Sequence, residues 1–187
     1  ESARLLNSIG RVALLYLDDK NKDIKRVYDT KSACEILLPQ FLGRKREVVV
    51  LMLLDGRGHV LYTDIVNEGS FSEVPIYIRR VVELCLKYDA FTAILAHNHP
   101  SGNPVPSKND INSTRDLTFA LNGIDVILMD HIIFAGNDYM SMHSSEFLDA
   151  LKKEVESYKE TLANQSKEQE DALFSDIVSR KDKSYGF

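Results

Sequence analysis

The sequence predicts an α/β fold in which a mixed β-sheet is sandwiched by helices, and three observations carry that expectation. Glu47-Val48-Val49-Val50-Leu51-Met52-Leu53-Leu54 is a nearly continuous apolar run, and the turn Asp55-Gly56-Arg57-Gly58 joins it to a second strand over about residues 59–66, giving a hairpin. Ile78, Val81, Val82 and Leu86 then recur at helical spacing. Phe91-Thr92-Ala93-Ile94-Leu95-Ala96 follows as a short apolar run bounded by Asp89 and by Pro and Gly, as a core strand is. A hairpin, a helix and a further central strand build a layered domain.

From the start of the chain, Leu5, Ile9, Val12 and Tyr16 share one face of an expected amphipathic helix, and the charged stretch 18–23 reads as a linker. A second helix is expected from about Lys31 to Leu42, capped by Asp29, Thr30 or Ser32 and stopped by Gly43, with Ala33, Ile36, Leu37 and Phe41 facing the core. After the hairpin, Gly69-Ser70-Phe71-Ser72 turns toward Pro75, which suits the first position of a helix running to about Lys87. Ser107 opens another helix, which should end at Asn122 before Gly123. Residues 124–129 and 130–135 read as strand, 136–138 as a turn and 139–142 as a last short strand. A final helix is expected from Ser144 or Ser145, supported by Glu146, with Leu148, Leu151, Val155 and Tyr158 as a stripe suited to docking on the domain or on a partner. Asn164-Gln165-Ser166-Lys167 should interrupt it, with a short helix near 172–178 and a disordered end. The expected organisation is therefore a helix and linker over 1–28, one domain over 29–144, and a helical C-terminal extension over 145–187.

Composition narrows the function. With 187 residues, 44% of them hydrophobic, the chain can bury a full core, and no apolar run reaches membrane-spanning length. No basic segment followed by a continuous apolar stretch marks a secretory signal at the N-terminus. Cys34 and Cys85 stand alone, without a CxxC pattern, and read as reduced packing thiols, so a cytoplasmic setting is expected. A formal charge of -5 argues against a dedicated nucleic-acid binder, which would show a basic face. The chain opens at Glu1 and not at Met, which suits a piece of a longer protein.

The chemistry concentrates in residues 96–110. The strand delivers His97 and His99 at its exit, and alternation puts both on one face while Asn98 turns away. Pro100, Pro104 and Pro106 end strand pairing, and Asp110 falls in the first turn of the next helix, near the positive end of its dipole. Two imidazoles and a carboxylate on rigid elements give three ligands and leave a fourth tetrahedral position for water, the arrangement of a catalytic zinc site. Taken singly, a strand-end His is an ordinary polar residue, and Ser107 with Asp110 is an ordinary capping box. The joint order HxHP, six residues, SxxD is far more specific.

Those residues resemble the signature of the JAMM (MPN+) metalloprotease superfamily, in its bacterial RadC branch. His97, Asn98, His99, Pro100, Ser101 and Gly102 match HNHPSG; Pro106, Ser107 and Asp110 match PSxxD; and Asp130-His131-Ile132-Ile133 is similar to its DHII segment. The similarity runs from about Asp29 to Ser144. His97-Asn98-His99 is not an HNH nuclease motif, whose residues are dispersed over a ββα unit. The resemblance implies a JAMM/MPN-like, cytidine-deaminase-like architecture and a metallopeptidase. In it, His97, His99 and Asp110 bind one Zn2+ ion, Glu47 acts as general base and Ser107 stabilises the oxyanion. From the residues alone, Glu47 is an ordinary charged strand start beside Arg44, Lys45 and Arg46, with Glu68 and Glu73 as rivals for the base. His131 is expected beside the site, in a supporting role with Asp130, and His59 and His143 on the surface or in packing. The expected substrate is a peptide or isopeptide bond of an unidentified protein. A different class, a DNA-repair-associated or protein-docking module with a structural or vestigial metal, stays open. The family often carries a helix-hairpin-helix region upstream.

Overall fold

The structure, a computed structural model, describes residues 26–69 and 78–184, with side chains up to residue 170 and that of Ala172. The expected N-terminal helix and the turn leading to Pro75 lie outside the described residues. The elements are α1 (Thr30–Leu37), a 3₁₀ turn (Leu38–Gln40), β1 (Val48–Leu54), β2 (Val60–Glu68), α2 (Ile78–Lys87), β3 (Thr92–Asn98), α3 (Lys108–Asn122), β4 (Ile127–Ala135), β5 (Asp138–Ser141) and α4 (Phe147–Ser184). The chain divides after Asp149 into two compact units, the second being the helix from Ala150 onward.

One five-stranded sheet in the order β2-β1-β3-β4-β5 forms the centre of the first unit. β1 pairs antiparallel with β2 and β3, β3 pairs parallel with β4, and β4 antiparallel with β5, so the sheet is mixed as expected. β1 and β3 are buried along their whole length, which is why both read as unbroken apolar runs. Even-numbered side chains of the central strands, Val48, Val50, Met52, Ile94, Ala96, Ile132 and Phe134, pack with Ala33, Cys34, Leu37 and Phe41 beside α1. The odd-numbered face, carrying Val49, Leu95, His97 and His131, receives α3, and α2 lies beside α3. Helices therefore cover both faces of the sheet.

Local chemistry explains where elements begin and end. Asp29 caps α1 through a reciprocal box with Ser32, and the helix tightens into the 3₁₀ turn at Pro39, which lacks the N–H an α-helix needs. In the hairpin turn Asp55 Oδ1 accepts from the N–H groups of Arg57 and His59. Gly58 there has φ +83°, and a Cβ on it would meet the Val27 carbonyl oxygen at 2.5 Å, so only glycine fits.

Several expectations shift. Leu86, placed on the core face of α2, is exposed; Val81, Leu84 and Cys85 form the buried stripe, one helical turn apart. β4 begins at Ile127, because Asp125 takes a left-handed backbone (φ 57°) that ends the preceding turn. α4 starts at Phe147, after Glu146 (φ 61°), and Ser145 Oγ donates to the Met142 carbonyl. It then runs unbroken to Ser184. Residues 164–167 interrupt the apolar stripe without breaking the helix, since neither Gly nor Pro occurs between Gly136 and Gly186 and Gln, Lys, Glu and Ala sustain it. Among the described residues no helix is long and apolar enough to cross a membrane.

Candidate metal centre

Three side chains meet where β3 leaves the sheet and α3 begins. His97 stands on the odd-numbered face at the last turn of β3, and His99, still bound to the sheet through its N–H to the Phe134 carbonyl at 2.7 Å, follows on the same side. The loop then folds back. Gly102, at φ +81°, sends its N–H to the His99 carbonyl, and the Asn103 carbonyl reaches His99 Nδ1 at 2.8 Å. Ser107 caps α3 by accepting from the Asp110 N–H at 3.2 Å, while the Asp110 Oδ2 accepts from the Ser107 N–H at 2.7 Å. This capping box turns the Asp110 carboxylate back toward the histidines.

The convergence is close. His97 Nε2 and His99 Nε2 are 2.9 Å apart, His97 Nε2 and Asp110 Oδ1 3.3 Å, and His99 Nε2 and Asp110 Oδ2 3.5 Å. Two ring nitrogens approach to 2.9 Å only if a proton or a cation sits between their lone pairs. Two imidazole nitrogens and a carboxylate thus lie close enough together to share one metal ion. Among the described residues this trio can hold a metal, two of its members half-buried and His97 buried.

The electrostatics suit ligation. Burial pushes His97 down to about 4, against the pull of Asp110, so its imidazole is neutral at physiological pH. His99 is raised, chiefly by its hydrogen bond to Asp110, and the charge of Glu47 contributes. Burial alone would raise the Asp110 carboxyl; the hydrogen bond from His99, the nearby His97 and the Ser107 cap outweigh it and hold it well below the usual carboxylate range.

The expected base and its neighbours are placed as follows. Val49 pairs with His97 across β1 and β3, and Glu47, two residues earlier, extends along the same face. It is almost fully buried, 8% exposed. Asn98, on the opposite face, grips the backbone on both sides of Glu47: its Oδ1 accepts from the Val48 N–H at 2.9 Å and its Nδ2 donates to the Arg46 carbonyl at 3.1 Å. Ser107 is exposed, and since its oxygen accepts at the cap, its proton can still be donated. Glu68, a rival for the base, lies at the end of β2 near Arg44 at 3.9 Å; Glu73 lies outside the described residues. Cys34 and Cys85 are buried free thiols, raised to about 12 and about 11 by burial and so protonated.

His131 needs a correction. It supports the site, but its partner is not Asp130. Neighbouring strand residues face opposite sides, and Asp130 accepts from Thr30 Oγ1, Ser141 Oγ and the His143 N–H there. His131 is fully buried on the metal side, with Nε2 2.8 Å from His97 Nδ1 and Nδ1 2.6 Å from Thr114 Oγ1. Sequence reasoning missed Thr114; its position one turn after Asp110 on α3 was the available signal. His59 pairs with Asp55 at 2.9 Å and His143 with Asp149 at 3.5 Å, away from the trio.

Residues 27–147 match the family described as the RadC-like JAB domain. A UPF0758 protein of Idiomarina loihiensis is 37% identical over 107 residues, covering 57% of this chain and 48% of the relative. A UPF0758 protein of Burkholderia cenocepacia is 33% identical over 148 residues, covering 79% and 57%, and one of Burkholderia thailandensis is 35% identical over 138 residues, covering 73% and 52%. The chain spans about half the length of these curated relatives, whose names state no activity.

Proposed function

The chain belongs to the RadC-like JAB domain family, and from that premise we propose that it is a zinc-dependent hydrolase of the JAMM type, cleaving a peptide or isopeptide amide bond. The observation that carries the proposal is the approach of two ring nitrogens to 2.9 Å beside one carboxylate. His97, His99 and Asp110 hold the ion. A zinc ion there supplies Lewis acidity, which lowers the pKa of water and polarises a carbonyl.

The chain's own groups do the rest. Glu47 takes a proton from the attacking water as its oxygen bonds to the amide carbon, then returns that proton to the leaving nitrogen as the C–N bond breaks. Ser107 donates its hydroxyl proton to the developing oxyanion while its oxygen keeps the helix cap. A cytoplasmic setting agrees with two unpaired buried thiols.

Zinc stoichiometry and cleavage of a peptide library test the proposal together. The parent should bind one zinc per chain and cleave; Glu47→Gln should keep the zinc and lose about 10²–10⁴ in rate; His99→Ala should lose the zinc. Unchanged zinc uptake by His99→Ala would overturn the ligand set. Zinc bound with no cleavage of any peptide or isopeptide would favour the rival reading, a docking module whose metal is structural.

A further inference from the structure

Beyond the three ligands, a chain of hydrogen bonds runs from His97 back to the helix that carries Asp110. His97 Nδ1 lies 2.8 Å from His131 Nε2, His131 Nδ1 lies 2.6 Å from Thr114 Oγ1, and Thr114 Oγ1 lies 2.5 Å from the Asp110 carbonyl oxygen. We propose that His131 and Thr114 are positioning residues that order the protons of this chain in one direction, so that His97 always presents its Nε2 lone pair to the metal position.

The argument starts at the far end. A carbonyl oxygen only accepts, so Thr114 donates its single proton to Asp110; the Met142 sulfur at 3.5 Å is the poorer competitor. With that proton committed, Thr114 Oγ1 accepts from His131, whose Nδ1 therefore carries hydrogen. His131 is fully buried, its ring meets His97 and Thr114, and the carboxylate of Asp130 is turned to the other face, so the ring is neutral and Nε2 holds a lone pair. Nε2 then accepts from His97 Nδ1–H. Nothing is left on His97 Nε2 but a lone pair, aimed at His99 and Asp110.

A second carbonyl does the same for the other imidazole. The Asn103 oxygen at 2.8 Å holds a proton on His99 Nδ1, so that Nε2, whose bond to Asp110 a metal would replace, is the ligand atom. Two main-chain carbonyls, those of Asp110 and Asn103, thus set the tautomer of both histidines. Donation from Nδ1 also makes each ligand nitrogen more basic. Asp110 therefore acts twice, its carboxylate on the ion and its carbonyl as the terminus of the relay.

The inference rests on the metal reading of the site, so its test separates the two. Long-range proton–nitrogen correlation spectra of the ¹⁵N-labelled chain, with and without zinc, read each ring directly. His131 is expected to carry hydrogen on Nδ1 in both states; hydrogen on its Nε2 would overturn the relay whether or not zinc binds. In parallel, zinc affinity is measured by chelator competition. Thr114→Val should weaken binding about 10–100-fold and Thr114→Ser, which keeps the hydroxyl, should restore it. Parent-like affinity in Thr114→Val would overturn the relay, whereas a parent that takes up no zinc would end the hydrolase reading while the tautomer result still judges His131. If Thr114→Val does not fold, the spectra of the parent decide alone.

Discussion

Asn98 shows how a side chain that faces away from the site can still hold the backbone that lines it. It sits between two expected ligands yet faces away from them, and both of its amide atoms are spent on the backbone around Glu47. Asn98→Ala leaves a buried N–H and a carbonyl without their partner, at a cost of about 1–3 kcal/mol each. The expected outcome is zinc uptake near that of the parent with a clear fall in cleavage rate, measured on the same folded sample; equal rates would show that Glu47 keeps its place without the clamp. At this scale the sequence was legible wherever strand alternation applied. That rule put His97 and His99 together and Asn98 apart, and the structure agrees. The same rule separates His131 from Asp130, but adjacency in the DHII segment suggested a pair. Thr114, the true partner, comes from another element, and no local pattern brings it there.

At the level of the elements, the helix entrances carry two duties. Ser107 caps α3 and, in the proposed mechanism, also donates to the oxyanion, so replacing it has separable expected effects. Ser107→Ala should cost about 1 kcal/mol in denaturant unfolding of the metal-free chain and lower the cleavage rate as well. Asp29→Ala, which removes the cap of α1 at a site remote from the chemistry, should cost a similar stability with zinc uptake and rate unchanged. Equal losses of activity in both variants would show that Ser107 matters only as a cap. Strand and helix existence was readable because β1 and β3 are apolar throughout and α3 has both its cap and its stop in sequence. Boundaries were not, since Asp125 and Glu146 adopt left-handed backbones that side-chain type alone does not announce. Leu86 misled because an apolar letter at helical spacing does not say which of two neighbouring faces is covered.

For the whole molecule, the charge states at the centre set how stability responds to pH when no metal is bound. His97, lowered from 6.5 to about 4, and His131, also lowered well below 6.5 by burial, stay neutral in the fold while the unfolded chain takes up protons. Their contribution is complete above about pH 6.5 and is lost as pH falls toward about 4. His99 is raised and opposes this: its contribution is present below 6.5 and fades as pH rises through its folded value. Because His99 acts only above 6.5, the two lowered groups set the slope below it, and thermal unfolding of the metal-free chain should show Tm falling between pH 6.5 and 4. His131→Gln should flatten that slope, and a Tm independent of pH across this window would refute the assignment. The mixed sheet with helices on both faces was legible from the order of hairpin, helix and strand.

The carboxylate of Asp110 is tied to the first turn of its own helix before any ion arrives. Its aim is thus set during folding and not by the cargo. Capture then demands little rearrangement of the protein, and any drift in how that helix begins would be felt at once as a weaker hold on the ion.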